Sequence, residues 1–149
     1  MGATRATGGV VAAALAATGV LHAVWAVTPW PFGSAEEFAD SVVGQGDGVP
    51  PAAACLAVAG ALGAGAYLVG SEAGVLPAVG PRRLRRAGVR TVAGVLLARG
   101  VAGPVLFGRV DERSERFRRL NARYYSPLCV ALGAGAAAVA RAGAVRRAQ

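Results

Sequence analysis

The sequence predicts an all-α protein, a four-helix transmembrane bundle with both termini cytoplasmic. Three observations carry that prediction. Hydrophobic residues make up 54% of the 149 and charged residues only 16%, against about 25% charged in a soluble domain. The charges are clustered, which leaves four stretches nearly free of them, about residues 7–27, 52–69, 88–108 and 126–142. Each stretch is close to the roughly 20 residues that an α-helix needs to cross a hydrocarbon core about 30 Å thick. The chain reads as a single integral membrane domain over residues 1–149.

The first span, Thr7 to Val27, follows a short polar start that holds Arg5. The same pattern also fits a signal peptide, with Arg5 as its basic region and cleavage after Ala26. Pro29, Pro31, Gly33 and Ser34 stop the helix. The loop that follows, residues 28–50, has four acids (Glu36, Glu37, Asp40, Asp47) and no base. Ser34 with Glu37 three positions later has the form of a capping box, which predicts a short surface helix near 35–43. Pro50-Pro51 opens the second span, where Gly60, Gly63, Ala64 and Gly65 permit close helix approach.

Gly70 to Gly80 is a weakly apolar turn region with Glu72 and Pro77, and the basic run Arg82-Arg83-Leu84-Arg85-Arg86 comes next. The third span carries Arg99 in its middle and Pro104 five residues on. Proline has no N–H, so the Gly100 carbonyl loses its regular partner and a kink is predicted there. Residues 109–123 form a charged, partly helical connector. Ser126-Pro127 has the form of a helix start, with Ser as the cap and Pro in the first turn. Tyr124 and Tyr125 sit where amphipathic rings prefer to sit, at the membrane border.

Arginine count orients the spans. With the N-terminus inside, the inner segments hold nine arginines (Arg5, Arg82, Arg83, Arg85, Arg86, Arg90, Arg141, Arg146, Arg147). The outer ones hold six, all in the connector (Arg109, Arg113, Arg116, Arg118, Arg119, Arg123). Positive residues favour the cytoplasmic side. The six outer arginines break that rule, which predicts that some are kept for a task or pair with the acidic first loop.

A net charge of +8 raises nucleic acid as a partner. The basic residues lie between apolar runs and no nucleic-acid-binding motif is present, so the bilayer is the expected partner instead. One histidine and two isolated cysteines, Cys55 and Cys129, give no metal-ligand spacing. No metal or cofactor is expected. Both cysteines fall near the outer face under this topology, where a disulfide between them is geometrically open.

The candidate site comprises the polar residues that the topology brings to one depth. His22 lies near the outer end of the first helix, with Trp25 one turn on along the same face. Arg99 lies mid-membrane, and its long side chain can snorkel outward. A charge there costs a few kcal/mol even on lenient insertion scales. Arg99 is therefore expected to face inward, toward the Gly100 carbonyl, Asn121, a tyrosine oxygen or a ligand anion. Asn121, Tyr124 and Tyr125 enter at the outer end of the fourth helix.

The segments LHAVW in the first span, LLARG in the third and FRRLNARYYSPLC before the fourth together resemble the DUF3995 family. The resemblance covers nearly the whole chain, and YSPLC is its most specific part. It implies a small four-span bacterial membrane protein, with no activity attached. The matching positions are His22, Trp25, Arg99, Phe117, Tyr125, Ser126, Pro127, Leu128 and Cys129. The chain departs from the pattern at Asn121, where the resemblance leads one to expect Asp, and at Val24, where an aromatic is expected. An amide at 121 cannot replace the proton chemistry of an acid.

Two functions remain open on this reading. One is a membrane-embedded enzyme acting on a lipophilic, prenyl- or quinone-like small molecule by acid/base chemistry such as cyclisation or isomerisation. His22 would move the proton, because imidazole exchanges protons near neutral pH. Arg99 would stabilise developing oxyanion charge, and Asn121 and Tyr125 would orient the polar head. Trp25, Tyr124 and Cys129 would contact the substrate. Glu36, Glu37, Asp40, Glu72 and Asp111 are more remote acid candidates. The other is a non-catalytic accessory subunit, or a lipid or small-solute binding or carrier module, in which Arg99 holds a headgroup or a partner carboxylate.

Overall fold

The computed structural model describes residues 2–45, 49–108 and 113–145. Asp47, Arg109, Asp111, Glu112, Arg146 and Arg147 lie outside the described residues. The regular structure of the described residues is all-helical. The helices are α1 (Gly2–Trp25), α2 (Ala35–Phe38), α3 (Ala52–Glu72), α4 (Arg82–Gly108), α5 (Glu115–Leu120) and α6 (Ser126–Val145). A π-helical segment, Ala39–Val43, extends α2, and a second, Asn121–Tyr125, joins α5 to α6 without a break.

Two of the expected helix starts hold. Ser34 caps α2, its Oγ accepting the N–H of Glu37 at 3.1 Å, and the Glu37 carboxylate reaches back to the N–H of Gly33 at 3.0 Å. Pro51 precedes α3 and its carbonyl accepts the first amides. The basic run after Pro81, which the sequence places ahead of the span beginning near residue 88, is itself helical. It forms the first turns of α4, as suits arginine, a good helix former.

Ser126 is not a helix cap either, contrary to the sequence expectation. Its N–H bonds to the Asn121 carbonyl inside a continuous helix, and its hydroxyl points at the Asn121 side chain. The helix begins at Glu115, where Ser114 Oγ accepts the N–H of Phe117 at 3.1 Å. A proline inside a helix lacks a donor and crowds the carbonyl four residues back. The wider π turn directly ahead of Pro127 gives that carbonyl room. At Pro104, α4 stays helical through the proline.

The four long helices contact one another in a closed order: α1 with α3, α3 with α4, α4 with α6, and α6 with α1. Two ends result. At one end Gly8 of α1 packs against Ala73 and Val139, and Arg82 Nη2 donates to the Gly143 carbonyl at 3.2 Å. The start of α1, the end of α3, the start of α4 and the end of α6 therefore lie together, which makes this the basic end. At the other end Trp25, Phe38 and Cys55 form a second core with Phe32, Val42 and Val43. Cys55 and Cys129 are free thiols.

Between the ends, Leu15, Val69, Val89, Ala136 and Val139 fill the centre. Small residues set the spacing of α4 and α6. A Cβ on Gly100 would lie 2.6 Å from Val130 Cγ2, and one on Gly133 would lie 2.8 Å from Leu97 Cγ. The outer surface is apolar as well: Val10, Val20, Leu56, Val95, Val101 and Leu128 are each at least 50% exposed. A soluble monomer seldom shows so much apolar surface. Among the described residues, α1, α3 and the continuous helix over Glu115–Gly143 are long and apolar enough to cross a membrane.

Candidate functional site

A polar constellation inside the apolar body joins α4 to the π turn. Arg99 Nη2 donates to Asn121 Oδ1 at 2.9 Å, and Ser126 Oγ donates to the same oxygen at 3.3 Å. Asn121 and Ser126 are buried, at 1% and 2% exposure. Residues five apart on a regular α-helix do not face the same way. The π turn, with its i to i+5 bonding, aligns them, which is a recurrent use of such turns at functional sites.

The other half of the arrangement comes from Gly103, one turn beyond Arg99 on α4. A Cβ there would collide with Arg99 Nη1 and lie 2.7 Å from Ser126 Oγ. The missing side chain is the space into which the guanidinium folds. Asn121 is a neutral amide, so it hydrogen-bonds the guanidinium without supplying a counter-charge. Beside the cluster is an open, mainly apolar cleft of about 360 Å³, lined by Gly100, Pro104, Ala122, Ser126, Pro127, Val130 and Ala131.

The connector is clamped to the first loop. Tyr125 donates its hydroxyl proton to the Ser41 carbonyl at 3.1 Å, and Ser114 Oγ donates to the Asp40 carbonyl at 2.7 Å. The Ser114 N–H meets the Gly44 carbonyl, also at 2.7 Å. Arg113 donates to the Val43 carbonyl. Gly44 has φ +80°, a conformation that glycine adopts without penalty, and the Phe117 ring presses on it. Arg116 pairs with Glu37 at 3.3 Å. Part of the arginine excess in the connector is thus spent on the acidic loop, as its charge pattern predicts.

His22 and Trp25 belong to the aromatic end. His22 Nδ1 donates to the Thr18 carbonyl at 2.9 Å, which leaves Nε2 as the acceptor of the neutral ring. The imidazole lies 4.8 Å from the Trp25 ring, and Trp25 packs edge-on against Phe38 at 5.0 Å. Trp25 Nε1 donates to the Trp30 carbonyl at 3.0 Å. Trp25 is therefore a buried, fully engaged ring.

Of the sequence-predicted residues, the structure brings Arg99 and Asn121 together. Tyr125 is adjacent in the chain but turns its hydroxyl to Ser41. His22 and Trp25 make their contacts around Thr18, Trp30 and Phe38. Tyr124 is 55% exposed, with Arg123 over its ring at 5.7 Å, and Cys129 is half-buried. Ser126 is the member that sequence reasoning missed as a partner. Its signal was its spacing from Asn121, which has meaning only once the turn between them is a π turn.

The remote acids are scattered. Glu36 is exposed at the start of α2, where its own backbone amide, and then the Ser34 hydroxyl, hold its carboxyl below the usual carboxylate value. Glu72 was expected in a turn. It is the buried last residue of α3, its side chain 2% exposed, with Arg82 and Arg86 each at 3.8 Å and Arg85 at 3.9 Å. Asp111 lies outside the described residues.

A family model described as a protein of unknown function (DUF3995) matches residues 10–136. No curated protein and no solved structure matches the chain.

Proposed function

The chain belongs to the DUF3995 family, and from that premise we propose that it is a polytopic membrane protein that holds the polar end of a lipophilic small molecule at Arg99, Asn121 and Ser126. Four spans, α1, α3, α4 and the α5–α6 helix, cross the bilayer of the cell membrane as a bundle. Both chain ends are cytoplasmic. Between Thr91 and Gly108, α4 carries a single charge, Arg99, so it can serve as the fourth span.

The observation that carries the reading is the Arg99–Asn121 hydrogen bond at 2.9 Å, joined through Ser126 to the wall of an apolar cleft of about 360 Å³. An apolar cleft with a few convergent polar groups is the usual form of a small-molecule site. A prenyl- or quinone-like compound fits: its hydrocarbon part lies along Pro104, Pro127 and Val130, and its oxygen meets the guanidinium and the Ser126 hydroxyl. Tyr124 and Cys129, on the same helix, are the further contact candidates.

The catalytic extension of this reading is acid/base cyclisation or isomerisation. It assigns oxyanion stabilisation to Arg99, orientation to Asn121 and Tyr125, and proton transfer to His22, whose Nε2 is its accepting atom. Trp25 then fixes the imidazole by ring contact. The non-catalytic extension needs only the Arg99 cluster.

The test compares compounds that co-purify with the wild type, Arg99→Leu and His22→Ala from native membranes, analysed by mass spectrometry of the organic extract. A lipophilic compound retained by wild type and lost from a folded Arg99→Leu supports the site. Conversion of that compound by wild type but not by His22→Ala supports the enzyme. Identical extracts from wild type and Arg99→Leu refute the proposal.

A further inference from the structure

We propose that the cleft between α4 and α6 at the basic end is a binding site for an anionic phospholipid, with Arg90 and Arg141 on the phosphate. The inference rests on the membrane reading above but not on the Arg99 site. The cleft measures about 300 Å³, and its apolar walls include Ala93, Gly94, Leu97 and Ala137. Arg90 and Arg141 lie at the same mouth.

Helix geometry explains the pairing. Arg90, Ala93, Gly94 and Leu97 follow the i, i+3, i+4, i+7 spacing of one helix face. On α6, Ala137 and Arg141 are four apart and also share a face. The two helices run antiparallel with Leu97 opposite Gly133 and Gly100 opposite Val130. The same register carries Arg90 level with Ala140, and so beside Arg141. Small residues on both walls, Ala93 and Gly94 on α4 and Ala137 and Ala140 on α6, leave room for part of an acyl chain.

Charge identifies the occupant. Among the described residues, the buried acid of the basic end is Glu72, and it is already shared by Arg82, Arg85 and Arg86. Among the described residues, Arg90 and Arg141 have neither a hydrogen bond nor an ion pair. Both are exposed on the outer surface of the helices, at the cytoplasmic border of the spans, the level at which anionic headgroups lie. A phosphodiester supplies the anion, and two forked guanidinium groups bind phosphate oxygens in matched geometry. Its acyl chain covers the cleft. A zwitterionic lipid satisfies the same cleft but brings its own cation to two arginines. Basic pockets between helices on the cytoplasmic side recognise anionic headgroups in this manner.

The test uses the full chain purified in detergent and delipidated, titrated with phosphatidylglycerol or phosphatidylcholine and read by native mass spectrometry. Each arginine near an anionic headgroup contributes about fivefold in affinity, so wild type should favour phosphatidylglycerol by roughly 25-fold. The double variant Arg90→Gln/Arg141→Gln should bring the two lipids near parity. Arg83→Gln, an exposed arginine outside the cleft, should leave most of the preference in place. Inorganic phosphate should not displace the lipid, since it cannot fill the apolar cleft. Gly94→Leu, which fills the cleft and keeps both charges, should lower phosphatidylglycerol retention and is the second route if the double variant fails to fold. Equal retention of both lipids by wild type, or the same loss from Arg83→Gln as from the double variant, overturns the site while leaving the membrane reading intact. Wild type that retains no lipid at all and stays monodisperse without detergent overturns the membrane reading itself.

Discussion

Gly103→Ala tests whether the Arg99 cluster is built as described. The substitution adds one methyl group at a point occupied by Arg99 Nη1, with Ser126 Oγ 2.7 Å away. Alanine is otherwise the better helix former, by about 1 kcal/mol over glycine, so a simple propensity argument predicts stabilisation. The cluster predicts the opposite. Overpacking a tight site costs about 1–3 kcal/mol. If the guanidinium swings away to relieve the clash, that cost is replaced by the loss of its bond to Asn121, about 1.5–3 kcal/mol for a charged donor. Set against the propensity gain, either route leaves a net destabilisation of about 1 kcal/mol. Unfolding in mixed detergent and SDS micelles, followed by helical circular dichroism, reads it. A double-mutant cycle with Arg99→Ala isolates the cause, because removing the guanidinium removes the nearest atom that the new methyl group would meet. A coupling of at least about 1 kcal/mol between positions 99 and 103 is expected. Strictly additive effects, or a stabilised Gly103→Ala, refute the placement of Arg99 along its own helix.

Glu72→Gln should destabilise the protein by about 3 kcal/mol in the same unfolding assay, because three guanidinium groups would face one another without their shared acid. That figure is set at the low end because Arg82 is 40% exposed and solvent screens its part; a change below about 0.5 kcal/mol would remove Glu72 as the organiser of the basic end. Ser34→Ala should cost about 1 kcal/mol through the lost cap on Glu37, and a thermal melt unchanged from wild type would count against the cap. The depressed carboxyl of Glu36 contributes stability above its unfolded-state value, and that contribution disappears as pH falls through its lower folded value. The thermal difference between wild type and Glu36→Gln should therefore narrow in acid, and a difference that widens there would reverse the sign of this linkage.

Much of the fold is legible along the chain because the cost of placing a side chain in hydrocarbon is a local quantity. The apolar runs found α1 and α3 to within a few residues, and the Ser34 pattern found a real cap. The isolation of Arg99 in an apolar run indicated an inward-facing guanidinium, and Asn121 was among its named acceptors. The errors fall where a residue's role depends on what the chain does around it. Ser126-Pro127 has the composition of a helix start, yet Ser114 starts the helix and a π turn carries it through Pro127. Propensity does not distinguish α from π bonding. Glu72 resembled a loop acid, because its burial depends on α4 and α6 closing over the end of α3. His22 and Arg99 are expected at similar depth, but depth says nothing of rotation about the helix axis, and the imidazole turns to Thr18 and Trp25.

By itself the sequence determined which segments are helical and apolar, where charge is excluded, and that a cation lies deep within α4. Those properties sum along the chain and need no partner. Only the tertiary structure decided that Asn121 and Ser126 share the Arg99 site, that Tyr125 ties the connector to Ser41, and that Arg90 and Arg141 meet at one cleft. Such meetings are set by helix register and rotation. Here the close contacts at Gly100, Gly103 and Gly133 fix both, because a single methyl group at any of them would push the helices or the guanidinium out of place.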